Sequence, residues 1–238
     1  MSNLRLHLEG PMQSFGVNFG ENRYTEFFPT KSAISGLCMS ALGFDREAAE
    51  SNEFLAKFNS SFQMIAVRVQ KRIPKRVPMI KMVDFQTIFG KGMRRANGSP
   101  MDNPIISNRE YLMDAIFEVI LVGAKDMCER VGEAVLRPKR TLFLGRKCNI
   151  PSARIFAGIH DTYECLEDPL EEYDYQSDFK IDNHHYRSES YVRDICVDNR
   201  AVERKYVNRL VYTHYGCDSI RGQQYGRNFD SENLHSFQ

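Results

Sequence analysis

An α+β fold with the element order β-α-β-β-α-β is predicted by three features of the sequence. Residues 3–8 alternate apolar and polar side chains, residues 27–44 carry a helical apolar repeat, and residues 115–123 form a second clear strand with a helix behind it. That order is the one found in ferredoxin-like, RNA-recognition-type domains. Here a long insertion separates the two middle strands.

The first strand, Asn3–Leu8, alternates like a half-buried strand and runs into a glycine-punctuated turn, LEGPMQSFG, at residues 8–16. In FFPTKSAISGLCMSALGF, residues 27–44, Pro29 and Thr30 signal a helix start. Ile34, Leu37, Cys38, Ala41 and Leu42 then recur on one helical face. Gly36 is costly in such a helix unless something packs close, and Gly43 is a natural stop. FQMIAVRVQKRI, residues 62–73, reads as the second strand, with Ile65, Val67 and Val69 on one face.

The next forty residues carry Pro74, Pro78, Pro100 and Pro104 together with Gly90, Gly92 and Gly98. VDFQTIFG suits one arm of a long hairpin and NPIISNREYLMDA its return arm. AIFEVILVG, residues 115–123, is the next strand. AKDMCERVGEAVLRPK then reads as a helix with Met127, Val131, Ala134 and Val135 on its apolar side, ended by Pro138. RIFAGIHD is a further strand candidate. Beyond residue 160 an acidic stretch leads to two strand-like segments, HHYRSESYVRDICVD and RKYVNRLVYTHYG, and RGQQYGRNFDSENLHSFQ reads as a flexible tail. The expected division is a domain over 1–160, with its insertion at about 74–113, and a small β-rich C-terminal region with a tail over 161–238.

The chain has 238 residues, of which 42% are hydrophobic and 26% charged, enough for a sizeable core under a soluble surface. No apolar run reaches the roughly 18 residues of a membrane span, and the N-terminus lacks a secretory pattern, so a cytoplasmic protein without membrane contact is expected. The six cysteines are scattered and form no CxxC pair, which argues against zinc and for reduced thiols. The net charge of +1 is uninformative, but its distribution is not. Between Arg68 and Arg95 nine basic residues face one acid, Asp84, whereas Asp161 to Asp178 holds eight acids and no base. A long basic run broken by Gly and Pro suits a polyanion such as nucleic acid.

No HExxH, GxSxG or P-loop pattern is present. His184 and His185 are adjacent on a strand-like segment and so point to opposite faces, which disfavours shared metal ligation; no cofactor or metal is expected. A metal-independent ribonuclease would need general acid and base groups, for which Tyr24, His7 and Lys31 near the first turn are candidates, though their spacing does not demand it. Binding chemistry is better represented. RPKRTLFLGRK, residues 137–147, sets Arg137, Lys139, Arg140, Arg146 and Lys147 around Gly145. Glycine lets backbone N–H groups approach phosphate, and the cations supply charge. In the insertion, Phe85, Phe89 and Met93 interleave with Lys91, Arg94 and Arg95, a pattern that grips single-stranded nucleic acid.

Three stretches in register, LxLEGPMQSFG with FPTKSAISGL, DFQTIFG…NREYLMDAIF, and LRPKRTLFLGRK, resemble the CasD family, the fifth class of Cas proteins. The likeness covers residues 4 to about 160 and continues more weakly to the YTHYG segment, and the E subtype fits best. It implies a repeat-associated RNA-binding fold with a thumb hairpin, in a subunit of the CRISPR surveillance complex Cascade. Such a subunit caps the 5′ handle of the CRISPR RNA beside a CasC-type backbone subunit and the large CasA-type subunit, and its thumb reaches the guide and target DNA. By motif position, the RNA-binding residues implied are Gln13, Ser14, Phe15 and Gly16 of the first turn, and Lys31 and Ser32 at the helix start. Arg109 and Tyr111 at the thumb base and Arg140, Gly145, Arg146 and Lys147 of the glycine-rich loop complete that set. Phe89, Lys91, Met93, Arg94 and Arg95 fall in the thumb. The family usually has Trp where Phe15 stands, so a core plug competes with a stacking platform there. A related subtype cleaves the precursor RNA, but in the E subtype that task belongs to CasE, and the extra length and spaced His/Asn partners of an appended HNH nuclease are missing. The resemblance therefore implies a non-catalytic subunit, with a metal-independent endoribonuclease as the alternative.

Overall fold

The computed structural model describes residues 1–16, 22–45, 49–69, 79–88, 94, 98–99, 104–161, 173–181, 188–197 and 204–214. Strand β1 (Ser2–Glu9) is followed by the two-residue strands β2 (Met12–Gln13) and β3 (Asn22–Arg23), helices α1 (Lys31–Leu42) and α2 (Ala49–Ser61), and strand β4 (Gln63–Arg68). Next come β5 (Ile80–Ile88), β6 (Ile105–Met113), β7 (Ile116–Gly123) and helix α3 (Lys125–Leu136). The chain continues with β8 (Phe156–His160), β9 (Asp174–Ser177), β10 (Ser188–Val197) and β11 (Arg204–His214).

The main sheet has seven strands in the order β10-β11-β9-β4-β7-β1-β8. Its central pairs β1/β7, β1/β8 and β4/β7 are antiparallel. Alternation along the strands divides two cores. Leu4, Leu6 and Leu8 of β1, Phe117, Val119 and Leu121 of β7, and Met64 and Ala66 of β4 meet the helices. Ile65 and Val67 with Ile120 and Val122 face the other way and pack with Tyr175 and Ile181. The mixed α+β class holds. The expected strand positions match β1, β4, β7 and β8, and the two C-terminal strand-like segments are β10 and β11, which pair antiparallel. These strands join the main sheet through β9, which pairs with β4 on one side and β11 on the other, so the sheet runs unbroken into residues beyond 160.

Helix α1 starts and stops where its end residues dictate. The Thr30 side chain accepts from the Ala33 N–H, and Gly43 takes the left-handed conformation at φ 83°. Ile34, Leu37, Cys38 and Ala41 of its predicted face are buried. The close neighbour expected at Gly36 is missing, since a Cβ there would meet nothing within 4 Å. Met127, Val131 and Val135 of α3 are buried as predicted.

Helix α2 is an addition to the expected order. Its Ser and Asn residues are poor helix formers, and its stability comes from packing. Phe44, Phe54, Phe58 and Phe62 pack in succession as tilted ring pairs, at 5.4, 5.9 and 4.9 Å between ring centroids. The insertion strands β5 and β6 pair antiparallel from Ile80↔Met113 to Ile88↔Ile105, and β6 also pairs with β2 and β3. Among the described residues no helix is long and apolar enough to cross a membrane.

Candidate nucleic-acid interface

The turn at residues 10–16 and the loop at residues 142–150 are laced together at one end of the sheet. The Ser14 N–H donates to the Leu144 carbonyl at 3.1 Å, and Leu144 N–H donates to the Asn149 carbonyl at 2.8 Å. The Asn149 side chain, fully buried, also donates to the Leu144 carbonyl at 3.0 Å. Gly145 has φ 92°, and a Cβ at that position would lie 1.7 Å from the Ser14 carbonyl oxygen. Gly10 is similarly confined, with Leu144 and Ile150 within about 3.0 Å of a Cβ. These glycines let two chain segments touch, a structural use that competes with the phosphate-approach reading of Gly145.

The side chains of the first turn point inward, which corrects the expectation of RNA-facing groups there. Gln13 is fully buried and its amide donates to the carbonyls of Leu8 at 3.2 Å and Ala115 at 2.5 Å. Ser14 is 2% exposed. Phe15 is 1% exposed and meets Phe117 edge-to-face at 6.0 Å, so it plugs the core. Its N–H donates to the Thr25 hydroxyl at 2.8 Å. Only Gly16 of the four reaches the surface, bridged to Thr25.

Lys31 also departs from its expected role. Its ammonium pairs with Asp178 at 3.0 Å and donates to the carbonyls of Asn59 at 3.1 Å and Phe62 at 2.5 Å. A burial this polar is stable only because every proton of the ammonium is bonded. Ser32 is half-buried beside Thr30, with 3.3 Å between the hydroxyls.

Arg146 reaches across to β6 and to residue 23. Its Nη1 donates to the Glu110 carbonyl at 3.2 Å, its Nη2 to the Arg23 carbonyl at 3.0 Å, and its guanidinium lies 4.6 Å from the Tyr111 ring centroid. Tyr111 is 3% exposed, and its hydroxyl lies 3.9 Å from Cys148 Sγ. Arg109 is half-buried, with an Nε that lacks a hydrogen-bond partner among the described residues. Arg140 is exposed and paired with Asp45 at 3.1 Å. Lys147 is exposed and enters no ion pair among the described residues.

Gly16, Arg109, Tyr111, Gly145 and Arg146 are thus gathered around strand β3, while Lys31 sits in a separate buried cluster with Asp178. In the thumb set, Arg94 is exposed and donates to the Gly98 carbonyl at 3.0 Å. Phe89, Lys91, Met93 and Arg95, and likewise His184 and His185, lie outside the described residues. The hairpin arms expose Val83, Phe85 and Ile106 at 59%, 63% and 47%.

Sequence reasoning missed Thr25, Lys81 and Glu110, which tie the hairpin to the turn. Glu110 accepts from the Thr25 N–H at 3.0 Å and from Lys81 at 3.2 Å, and Lys81 donates to the Thr25 carbonyl at 2.9 Å. The signal available was faint: a lone acid in one strand diagonal to a lone lysine in the next.

Residues 3–212 match a family model described as CRISPR-associated protein (Cas_Cas5). The Escherichia coli (strain K12) protein named CRISPR system Cascade subunit CasD is 35% identical over 152 residues, spanning 61% of this chain and 66% of that protein. The match therefore falls just short of two thirds of that relative's length. A solved chain titled "CRISPR RNA-guided surveillance complex" superposes with a TM-score of 0.66 at 22% identity, covering 89% of this chain and 88% of the other. Another, titled "Crystal structure of Cas protein", gives 0.55 at 24% identity, covering 89% and 93%. At those identities the two superpositions show a shared fold.

Proposed function

Because the chain belongs to the CRISPR-associated protein (Cas_Cas5) family, we propose that it is a non-catalytic subunit of a Cascade surveillance complex that binds and caps the 5′ handle of the CRISPR RNA. The observation that carries this reading is the family match over residues 3–212, in line with the 35% identity to a Cascade subunit. Three structural features support the finer parts. The order β8-β1-β7-β4, antiparallel throughout with α1 and α3 in the crossovers, supports reading it as a ferredoxin-like core. The β5–β6 hairpin at the expected insertion, with exposed Val83, Phe85 and Ile106, suits a thumb that works against bases. Gly16, Arg23, Arg109 and Lys147, together with the backbone of the two laced loops, form the surface on which the handle phosphates would lie.

CasC-type and CasA-type subunits are the protein partners of this reading, with target DNA met through the hairpin. The ribonuclease alternative loses a candidate group, since the Lys31 ammonium is committed to Asp178 and two carbonyls. The test is to incubate the purified chain, alone and with backbone subunits, with labelled repeat RNA in the presence and absence of EDTA. Retention of intact handle RNA is expected. A discrete cut that survives EDTA and disappears in a His7→Ala or Tyr24→Phe variant would replace this reading with the ribonuclease one.

A further inference from the structure

We propose that Lys81 and Glu110 are positioning residues that fix the angle at which the β5–β6 hairpin leaves the protein, and thereby aim its exposed apolar face at nucleic acid. The second half of this statement rests on the reading of the hairpin as a nucleic-acid-contacting element; the first half does not.

Glu110 and Tyr111 are neighbours on β6 and therefore project to opposite faces. Each is gripped by a cation from outside its strand. On one face Lys81 meets the Glu110 carboxylate at 3.2 Å, and on the other the Arg146 guanidinium covers the Tyr111 ring at 4.6 Å. The strand is thus held from both sides at one level.

That level is the base of the hairpin. Beyond it, away from the turn into β7, Val83, Phe85, Thr87 and Ile106 are exposed, whereas Tyr111 and Leu112 on the near side are buried. The register pairs Val83 with Glu110, Phe85 with Asn108 and Thr87 with Ile106, so the exposed apolar residues continue on the face that carries the Lys81–Glu110 pair.

The pair grips a single residue by both its backbone polar groups. The Thr25 N–H donates to Glu110 at 3.0 Å, and the Thr25 carbonyl accepts from Lys81 at 2.9 Å. Lys81 also lies 4.1 Å above the Phe27 ring centroid. Thr25 is itself anchored, because its hydroxyl accepts from the Phe15 N–H at 2.8 Å and Phe15 packs on Phe117 of the central strand β7. The path from hairpin to core is therefore continuous: Lys81 and Glu110, Thr25, Phe15, Phe117. The two side chains are only 27% and 18% exposed, which limits screening by solvent and salt. A generic surface ion pair has no such third partner.

The test uses the full chain and its assembled complex. Lys81→Met keeps the stem and removes the charge, Glu110→Gln keeps the shape, and Lys81→Arg restores a donor. Hydrogen exchange of the isolated chain is read first. Lys81→Met and Glu110→Gln are expected to raise exchange at residues 80–88 and 105–110 about tenfold while β1 and β7 keep their protection; Lys81→Arg is expected to restore it. In the complex the first two variants should hold handle RNA within about twofold of the parent and lose roughly tenfold in target-DNA affinity. Unchanged hairpin exchange in both variants overturns the proposal, as does an equal fall in handle and target binding together with global stability. If the parent chain binds no handle RNA, the functional reading fails, and the exchange measurement still decides the pin.

Discussion

Arg146 and Lys147 are adjacent cations with different fates, and their difference can be measured. Arg146 is bonded to the carbonyls of Glu110 and Arg23 and stacked on Tyr111, while Lys147 is exposed. On the proposed reading, Lys147→Ala is expected to weaken handle binding and reduce the slope of log K against log salt by about 0.7, one phosphate's worth for a single strand. Arg146→Ala should leave that slope unchanged and lower stability by about 2 kcal/mol, the scale of lost hydrogen bonds to a charged group. Salt titrations and urea unfolding of both variants check this. The thiols separate in the same way. Burial pushes Cys38 up to about 12 and Cys128 to about 11, while Cys148 is exposed. Iodoacetamide should modify Cys148 in the folded protein and reach Cys38 and Cys128 only on unfolding, as read by site-resolved mass spectrometry. A thiol whose folded value is raised keeps its proton after the unfolded chain has lost it. Stability is therefore full below about pH 8.5, the free-thiol value, and falls as pH rises towards 11–12. Cys38→Ala should make that alkaline fall shallower.

At the scale of elements, two glycines predict opposite outcomes. Gly36 sits inside α1 with open space around its missing side chain. Gly36→Ala should raise stability by about 1 kcal/mol through helix propensity alone, visible as a higher urea midpoint at unchanged slope. Gly145 combines φ 92° with a carbonyl 1.7 Å from any Cβ, so Gly145→Ala must part the two laced loops. It should lower the midpoint and, on the proposed reading, weaken handle binding as well. The helices and strands themselves were largely legible. The α1 cap at Thr30, the stop at Gly43, and the apolar faces of α1 and α3 follow from local rules that need no tertiary knowledge. Helix α2 was not legible, because Phe54 and Phe58 gain their value from Phe44 and Phe62, which flank the helix on either side.

Across the whole molecule, one carboxylate joins the late strands to the first helix. Asp178 takes the Lys31 ammonium at 3.0 Å, the Met64 N–H at 3.2 Å and the Arg209 guanidinium of β11. All three charged side chains are at least four-fifths buried. Asp178→Asn keeps the volume and strands two buried cations, so a loss of about 3 kcal/mol is expected, with β10 and β11 losing exchange protection first. The sequence by itself determined the α+β class, the hairpin at the insertion, the ends of α1 and the family, because periodicity, caps and motifs act over a few residues. Tertiary structure alone decided that Gln13, Ser14 and Phe15 turn inward, that Lys31 is spent on Asp178, and that Arg146 braces β6. Each of those outcomes depends on partners separated by roughly ten to 150 residues, and in a buried site a polar group goes to whatever partner the fold brings within bonding distance. The turn LEGPMQSFG had the composition of a ligand loop, and the fold sends its Gln13 and Phe15 side chains into the core while its backbone seats the loop that follows α3.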